Sequence, residues 1–373
     1  MSWETKRLSE VADFRLGKML DQRKNKGDLL PYLANKNVRW GEFDLSEMRE
    51  MRFEERELET FSLKNGDIVM CEGGVPGRCA IWRDQLPKMM YQKALHRIRP
   101  FETMNEVYLY YNLSHRAKSG HFEGLFTGST IKHLPKEKLA LVEVDVPDLP
   151  TQERIAFILS AYDDLIENNR RRIALLEQAA RLLYREWFVH FRFPGHKIAK
   201  FVDGLPEGWR TTTILDHCPL VYGKALRADT RVNGDIDVFG SSGIVGSHNK
   251  RLVERNSIIV GRKGNVGSIF WAERDFWPID TVYYIAPKNS DYFTYYAMQN
   301  VTFINTDVAV PGLNRDFAHS RELRIPDDEL LADFNQKAEA FKNNVAVLTK
   351  QSSQLTAARD LLLPRPMDGR LPV

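Results

Sequence analysis

The chain has 373 residues, 43% hydrophobic and 28% charged, and its 53 basic and 50 acidic residues leave a formal charge of +3. That composition belongs to a folded protein of two or three domains and excludes a disordered or fibrous chain. Near neutrality neither demands nor excludes a nucleic-acid partner, because such proteins gather their basic residues on one face.

No apolar run reaches the roughly 20 residues of a membrane span. The opening Met1-Ser2-Trp3-Glu4-Thr5-Lys6 lacks the apolar stretch of a signal peptide. Cys71, Cys79 and Cys218 form no CxxC pair, which suits reduced, ordinary buried or loop cysteines. A cytoplasmic protein without membrane contact is expected.

In chain order, residues 1–150 read as a globular part rich in short β-like runs such as 67–70. Two of its loops, Asn35-Lys36-Asn37-Val38-Arg39 and Thr127-Gly128-Ser129-Thr130-Ile131-Lys132, mix amides, hydroxyls and cations. Base edges need such groups, Arg or Lys for guanine and Asn or Gln for adenine, and phosphates accept from hydroxyls, cations and backbone amides. Lys36, Asn37, Arg39, Thr127, Ser129 and Lys132 are therefore candidate DNA contacts; the competing reading is plain solvated turns.

Prolines 147 and 150 then brake the chain, and Thr151 is expected to cap a helix over 151–190. Ile155, Leu159, Tyr162, Ile166, Asn169, Ile173, Leu176, Ala180, Leu183 and Trp187 recur at alternating spacings of four and three, the seam of a coiled coil. A linker at 191–203 and Gly204-Leu205-Pro206-Glu207-Gly208-Trp209 mark a fresh start.

The second globular part, 204–329, carries candidate contacts at Ser241, Arg262, Lys263, Asn265, Asn314 and Arg315 in similar loops. A second helix over 330–363 follows, with its seam at Phe334, Ala338, Phe341, Val345, Leu348, Ser352, Leu355, Arg359 and Leu362, until Pro364 stops it and leaves a tail at 364–373. At about 1.5 Å per residue each helix is about 50 Å long. One apolar stripe of that length needs a partner, so the two helices are expected to pair with each other.

The chain is written twice. Trp3 and Trp209 stand 206 positions apart, as do Gly17-Lys18 and Gly223-Lys224, and Leu20 and Leu226. Asn65-Gly66-Asp67-Ile68-Val69 resembles Asn256-Ser257-Ile258-Ile259; a glycine-rich bend follows each, then a run ending in Trp82 or Trp271. Arg99-Pro100 and Ala286-Pro287 come next, then tyrosine-rich segments at 108–111 and 292–296, expected as helix packing. Ser241-Ser242 falls at the repeat position of Asn35-Lys36. Two similar units bury like faces most simply about a pseudo-twofold axis, so the helices should run antiparallel. Inverted, unequal modules suit a split, non-palindromic DNA site with half-sites about 34 Å apart.

Taken together with Leu182-Leu183-Tyr184-Arg185-Glu186-Trp187-Phe188, Phe193-Pro194-Gly195 and Leu361-Leu362-Leu363-Pro364-Arg365-Pro366-Met367-Asp368-Gly369, these features closely resemble the specificity subunit of type I restriction–modification systems. Pro366 departs from that pattern, where a less rigid apolar residue is usual. The resemblance implies an α+β fold of two target-recognition domains joined by two long antiparallel coiled-coil helices. It implies binding to double-stranded DNA and to two modification subunits, which hold S-adenosylmethionine and methylate adenine at N6. It also implies recruitment of restriction subunits that use ATP and Mg. It assigns no base-contacting residue, because the family's recognition domains vary.

Nothing in the sequence supplies chemistry of its own. There is no Pro-Pro dipeptide for an Asn-Pro-Pro-Tyr motif, no P-loop, no Glu-x-Lys after Pro147-Asp148 or Pro326-Asp327, and no metal-ligand spacing among nine histidines. The Gly261-x-x-Gly264-x-x-Gly267 spacing suits a turn rather than a dinucleotide site. The chain is expected to be a non-catalytic recognition subunit without a cofactor or metal. The alternatives are a coiled-coil scaffold with protein-binding ends and an enzyme with an unfamiliar site.

Overall fold

The computed structural model describes residues 3–19, 21, 25–304 and 312–367; Met1, Ser2, Leu20 and Asp368-Gly369 lie outside them. The chain divides into one unit of Met1–Asn168 with Gln351–Val373 and another of Asn169–Lys350. The first runs β1 (Glu4–Arg7), α1 (Leu8–Val11), β2 (Ala12–Leu16), β3 (Asp28–Leu33), β4 (Arg49–Phe53), α2 (Glu55–Phe61), β5 (Ile68–Cys71), β6 (Cys79–Ile81), β7 (Met90–Tyr91), β8 (Leu95–Pro100), α3 (Glu106–Lys118), α4 (Lys136–Leu139) and β9 (Glu143–Val146). Into the long helix α5 (Leu149–Tyr184) it contributes the first part.

The second unit takes the rest of α5, a hairpin of β10 (Phe201–Val202) and β11 (Leu205–Pro206), then β12 (Arg210–Thr213), α6 (Ile214–His217), β13 (Leu220–Tyr222), β14 (Ile236–Gly240), β15 (Gly243–His248), β16 (Ser257–Gly261), β17 (Ile269–Ala272), β18 (Phe276–Pro278), β19 (Val282–Ile285), α7 (Tyr292–Asn300), α8 (Arg315–His319) and β20 (Glu322–Ile325). The helix α9 (Asp328–Leu362) starts there and ends in the first unit, where α10 (Pro364–Met367) closes it.

The repeat read from scattered residues is a repeat of topology. In the first unit β1 pairs with β9, a four-stranded sheet has the order β2-β8-β5-β6, and a three-stranded sheet the order β4-β3-β7. In the second, β12 pairs with β20, and the orders are β13-β19-β16-β17 and β15-β14-β18. Even the parallel pairs match, β3 with β7 and β14 with β18. β5 and β16 are interior strands with every residue buried, so their sequences are continuous apolar runs rather than alternating ones.

The repeated Gly-Lys turns have a steric cause. A Cβ on Gly17 would lie 2.4 Å from the Tyr91 carbonyl oxygen, and one on Gly223 would lie 2.0 Å from that of Ile279. Only a residue without a Cβ lets two backbones approach so closely. The tryptophan match fails by one position: Ile68 pairs with Ile81 and Ile258 with Trp271, so Trp82 corresponds to Ala272. Trp82 is buried beside Phe43, whereas Trp271 packs on Tyr292 across the other face of its strand. A one-residue slip changes the face.

The tyrosine segments lie on α3 and α7, where Tyr108, Tyr110, Tyr111 and Tyr296 are buried in core clusters. All three cysteines are buried and free, and burial pushes the Cys218 thiol up to about 12.

Both long helices are present. α5 begins earlier than expected: the Asp148 carboxylate, not the Thr151 hydroxyl, caps it by accepting from the Thr151 amide at 2.9 Å. Pro150 then sits in the first turn, where no amide hydrogen is needed. Within the first unit, Ile155 and Leu159 share a core with Leu363 and Met367, and Asp163 pairs with Arg359. Within the second, Ala180, Tyr184 and Trp187 share a core with Phe334 and Ala338. In each unit the direction of these contacts is antiparallel.

Within each unit the expected seam positions are at least partly covered. Ile155, Leu159, Ile166, Asn169, Phe334 and Leu348 are buried, and Tyr162, Ile173, Leu176, Leu183, Phe341, Val345, Leu355 and Leu362 are half-buried. Arg359, an apparent flaw in the apolar spacing, is matched by the Asp163 carboxylate, which also accepts from the Tyr111 hydroxyl at 2.5 Å. Pro364 ends α9 and begins α10, whose Pro366 and Met367 are buried, so the expected tail starts as a packed helical turn. Among the described residues, no helix is long and apolar enough to cross a membrane.

Candidate nucleic-acid interface

In each unit three chain segments distant in sequence meet at one place. They are the loop after β3 or β14, the glycine bend between β5 and β6 or β16 and β17, and the segment leading into α4 or α8.

In the first unit the Asn35 side-chain amide donates to the Gly73 carbonyl at 2.6 Å, and the Arg78 guanidinium donates to the Asn35 carbonyl at 3.1 Å and to its side-chain oxygen at 2.9 Å. Gly73 bridges to His133, and the Leu134 amide donates to the Glu72 carbonyl at 2.7 Å. The Glu72 carboxylate accepts from Nδ1 of His133 at 3.0 Å. Thr127 and His133 exchange backbone hydrogen bonds of 2.9 and 2.8 Å, which leaves Ser129, Thr130, Ile131 and Lys132 exposed at the tip. Gly128, at φ 89°, is required there, because a Cβ would meet the Ile131 carbonyl at 2.3 Å.

The second unit builds the same frame from other side chains. The Ser268 hydroxyl donates to the Ser241 carbonyl at 2.7 Å, and the Asn265 amide donates to the Ser242 hydroxyl at 3.3 Å. Lys263 bridges to Gly312, and the Leu313 amide donates to the Arg262 carbonyl at 2.8 Å. The bend itself repeats: Gly77 and Gly267 donate to Cys71 and Gly261 at 3.0 and 2.9 Å. Gly74 and Gly264, at φ 73° and 80°, take the left-handed turn in each.

The sequence candidates therefore divide by role. Thr127, Ser129 and Lys132 in one unit, and Lys263 and Asn265 in the other, are exposed on this frame. Lys36 and Arg39 are exposed and paired with Glu47 at 3.0 Å and Asp44 at 3.4 Å, surface pairs that release easily. Asn37 is corrected to a structural role: it is 2% exposed, its oxygen accepts from the Ala34 amide, and its amide donates to the Asp44 carbonyl. Ser241 is also buried, and its carbonyl is the part that matters. Asn314 caps α8 by accepting from the Phe317 amide at 3.0 Å.

Arg262 and Arg315 form a cluster that no spacing announced. Their guanidinium carbons lie 5.1 and 4.9 Å from the Tyr222 ring centroid, within cation–π range. Arg262 also donates to the Asp280 carbonyl at 2.9 Å. Beneath them Tyr283, raised to about 12 by burial and the neighbouring Tyr222, stays protonated and donates to the Leu313 carbonyl at 2.8 Å. Tyr222, Glu72 and His133 were missed by the sequence reading. The one available signal was that Tyr222 directly precedes the Gly223-Lys224 turn. Among the described residues no group of three or more His, Cys, Asp or Glu could hold a metal ion.

Comparison with known proteins places these units in a wider set. A family model described as the type I restriction modification DNA specificity domain matches residues 1–178 and 206–330. The chain is 22% identical to the type I restriction enzyme MjaIX specificity subunit of Methanocaldococcus jannaschii, over all of this chain and 94% of that one. It is 20% identical to the HindI specificity subunit of Haemophilus influenzae, over 72% of this chain and 75% of that one. The fold is similar to the crystal structure of a type I restriction–modification S subunit from M. genitalium, with a TM-score of 0.58 at 17% identity, over 98% of this chain and 96% of the other.

Proposed function

Because the chain belongs to the family of type I restriction–modification specificity subunits, we propose that its two units read the two unlike halves of one bipartite, non-palindromic duplex DNA site. The observation that carries this reading is the duplicated frame. In each unit the bend and the segment into α4 or α8 meet through the same backbone hydrogen bonds, and the loop after β3 or β14 joins them through side chains that differ. A conserved frame with exchanged side chains is what reading different bases from equivalent positions requires.

The chain does no chemistry in this proposal. Two modification subunits bring S-adenosylmethionine and methylate adenine at N6, and restriction subunits bring ATP and Mg; the complex works in the cytoplasm. The paired helices set the spacing of the half-sites. Apolar side chains left outside the seam, Phe157 and Leu165 in one unit and Leu175 and Leu182 in the other, are exposed and serve the modification subunits as docking surface.

Mapping N6-methyladenine across the genome with and without this chain tests the proposal. One split motif should vanish with the chain, and the purified complex should bind that motif with an affinity that falls steeply with salt. Methylation or cleavage by the isolated chain would overturn it. Loss of the chain with no change in methylation, and no salt-dependent duplex binding, would favour a protein scaffold instead.

A further inference from the structure

The two frames can be laid over each other residue by residue through their hydrogen bonds. Leu134 donates to Glu72 as Leu313 donates to Arg262, Gly73 bridges to His133 as Lys263 bridges to Gly312, and Gly77 donates to Cys71 as Gly267 donates to Gly261. Glu72 and Arg262 are thus the same position of the repeat, the first residue of the glycine bend. One is an anion and an acceptor only; the other is a cation and a donor only.

Each side chain is held in place by its own unit. Both oxygens of Glu72 face Nδ1 of His133, at 3.2 and 3.0 Å. Arg262 is oriented by the Asp280 carbonyl, the Tyr222 ring and the Tyr283 ring. Both residues are half-buried, with exposed loop residues following at 74–75 and at 263–265, so neither is a freely waving surface charge. The Nη bond to the Asp280 carbonyl does not use up the five guanidinium hydrogens, and a carboxylate accepting from one imidazole keeps lone pairs available.

We propose that positions 72 and 262 are matched base-reading positions of opposite sense. Arg262 donates to O6 and N7 of a guanine in one half-site, and Glu72 accepts from the exocyclic N4 of a cytosine in the other. This rests on the reading of the chain as a DNA-recognition subunit. The chemistry follows the major-groove pattern, in which guanine offers two acceptors and cytosine offers a donor. His133 and Tyr222 are the positioning residues: each holds its partner before DNA arrives, which lowers the ordering cost of the contact.

The experiment uses the full complex with its modification subunits. Methylation motifs are mapped for the unaltered chain and for Glu72→Gln and Arg262→Gln. Arg262→Gln should relax one guanine position in one half-site only, and Glu72→Gln one cytosine position in the other half only. Discrimination at that position should fall on the order of ten- to hundredfold. Where a variant methylates nothing in cells, its complex is titrated with duplexes altered one base pair at a time. Arg262→Lys, which keeps the charge, should retain guanine more strongly than Arg262→Gln does. Unchanged motifs in both variants, equal weakening on every sequence, or relaxation spread over several positions would overturn the inference while leaving the specificity role standing. If the unaltered chain directs no motif at all, it is the underlying reading that fails.

Discussion

Asp67 and Arg99 meet through two hydrogen bonds of 2.7 Å, with the carboxylate 1% exposed, and the second unit places Ser257 and Ala286 at the equivalent positions. The Asp67 carboxylate also accepts from the Lys64 amide at 2.7 Å, and its hydrogen bonds hold the Arg99 guanidinium above its ordinary value. The repeat thus solves one position twice, once with an ion pair and once with small neutral residues. Arg99→Ala should destabilise the protein by about 3–5 kcal/mol, because it leaves the buried Asp67 carboxylate without its cation. The double change Asp67→Ser with Arg99→Ala, which copies the second unit, should recover most of that loss. Urea unfolding of both variants measures the difference.

Gly17→Ala and Gly223→Ala should each cost about 1–3 kcal/mol, since the added methyl would force two backbones apart. Gly195→Ala is a fitting control for crowding: nothing lies within 4 Å of its would-be Cβ, although its φ of 84° still carries backbone strain. Thermal unfolding should show losses at the two crowded positions larger than that at the control.

Phe334→Ala should cost about 3–5 kcal/mol, because that ring is fully buried against Tyr184, Trp187 and Phe188. Phe157→Ala, on the exposed side of the same seam system, should stay within about 0.5 kcal/mol. Its effect should appear instead as weaker association with the modification subunit, read by titration of the two proteins.

Stability should fall as the pH drops below about 6.5. His96 is fully buried with Nε2–H donating to the Leu134 carbonyl at 2.8 Å, and burial, outweighing the Leu134 bond and nearby Glu72, holds its pKa below the ordinary value. The unfolded chain therefore binds a proton that the folded chain refuses, and the penalty grows from the ordinary histidine range down to the depressed folded value. His217 and His319 are lowered by burial in the same direction. His96→Gln should flatten part of the slope in a urea series from pH 8 to pH 5, and His217→Gln and His319→Gln should each act in the same direction.

Much of the architecture is legible in the sequence. The doubled Gly-Lys turns, the doubled apolar runs and the two seams are local patterns, and each has a local physical cause: a steric clash at Gly17 and Gly223, two-sided burial at 68–71 and 257–261, and helical periodicity from Ile155 to Leu362. The loops proposed to meet DNA could be picked out by composition, but not their roles. Asn37 has the right chemistry for a base contact and is folded inward to hold its own loop. Glu72 and His133 lie 61 positions apart, and Tyr222, Arg262 and Arg315 are brought together by three separate segments. Composition and period determined that there are two similar modules and two paired helices. Only the packing of the sheets decided which side chains stand together, because register and close approach are set by contacts between residues far apart in the chain.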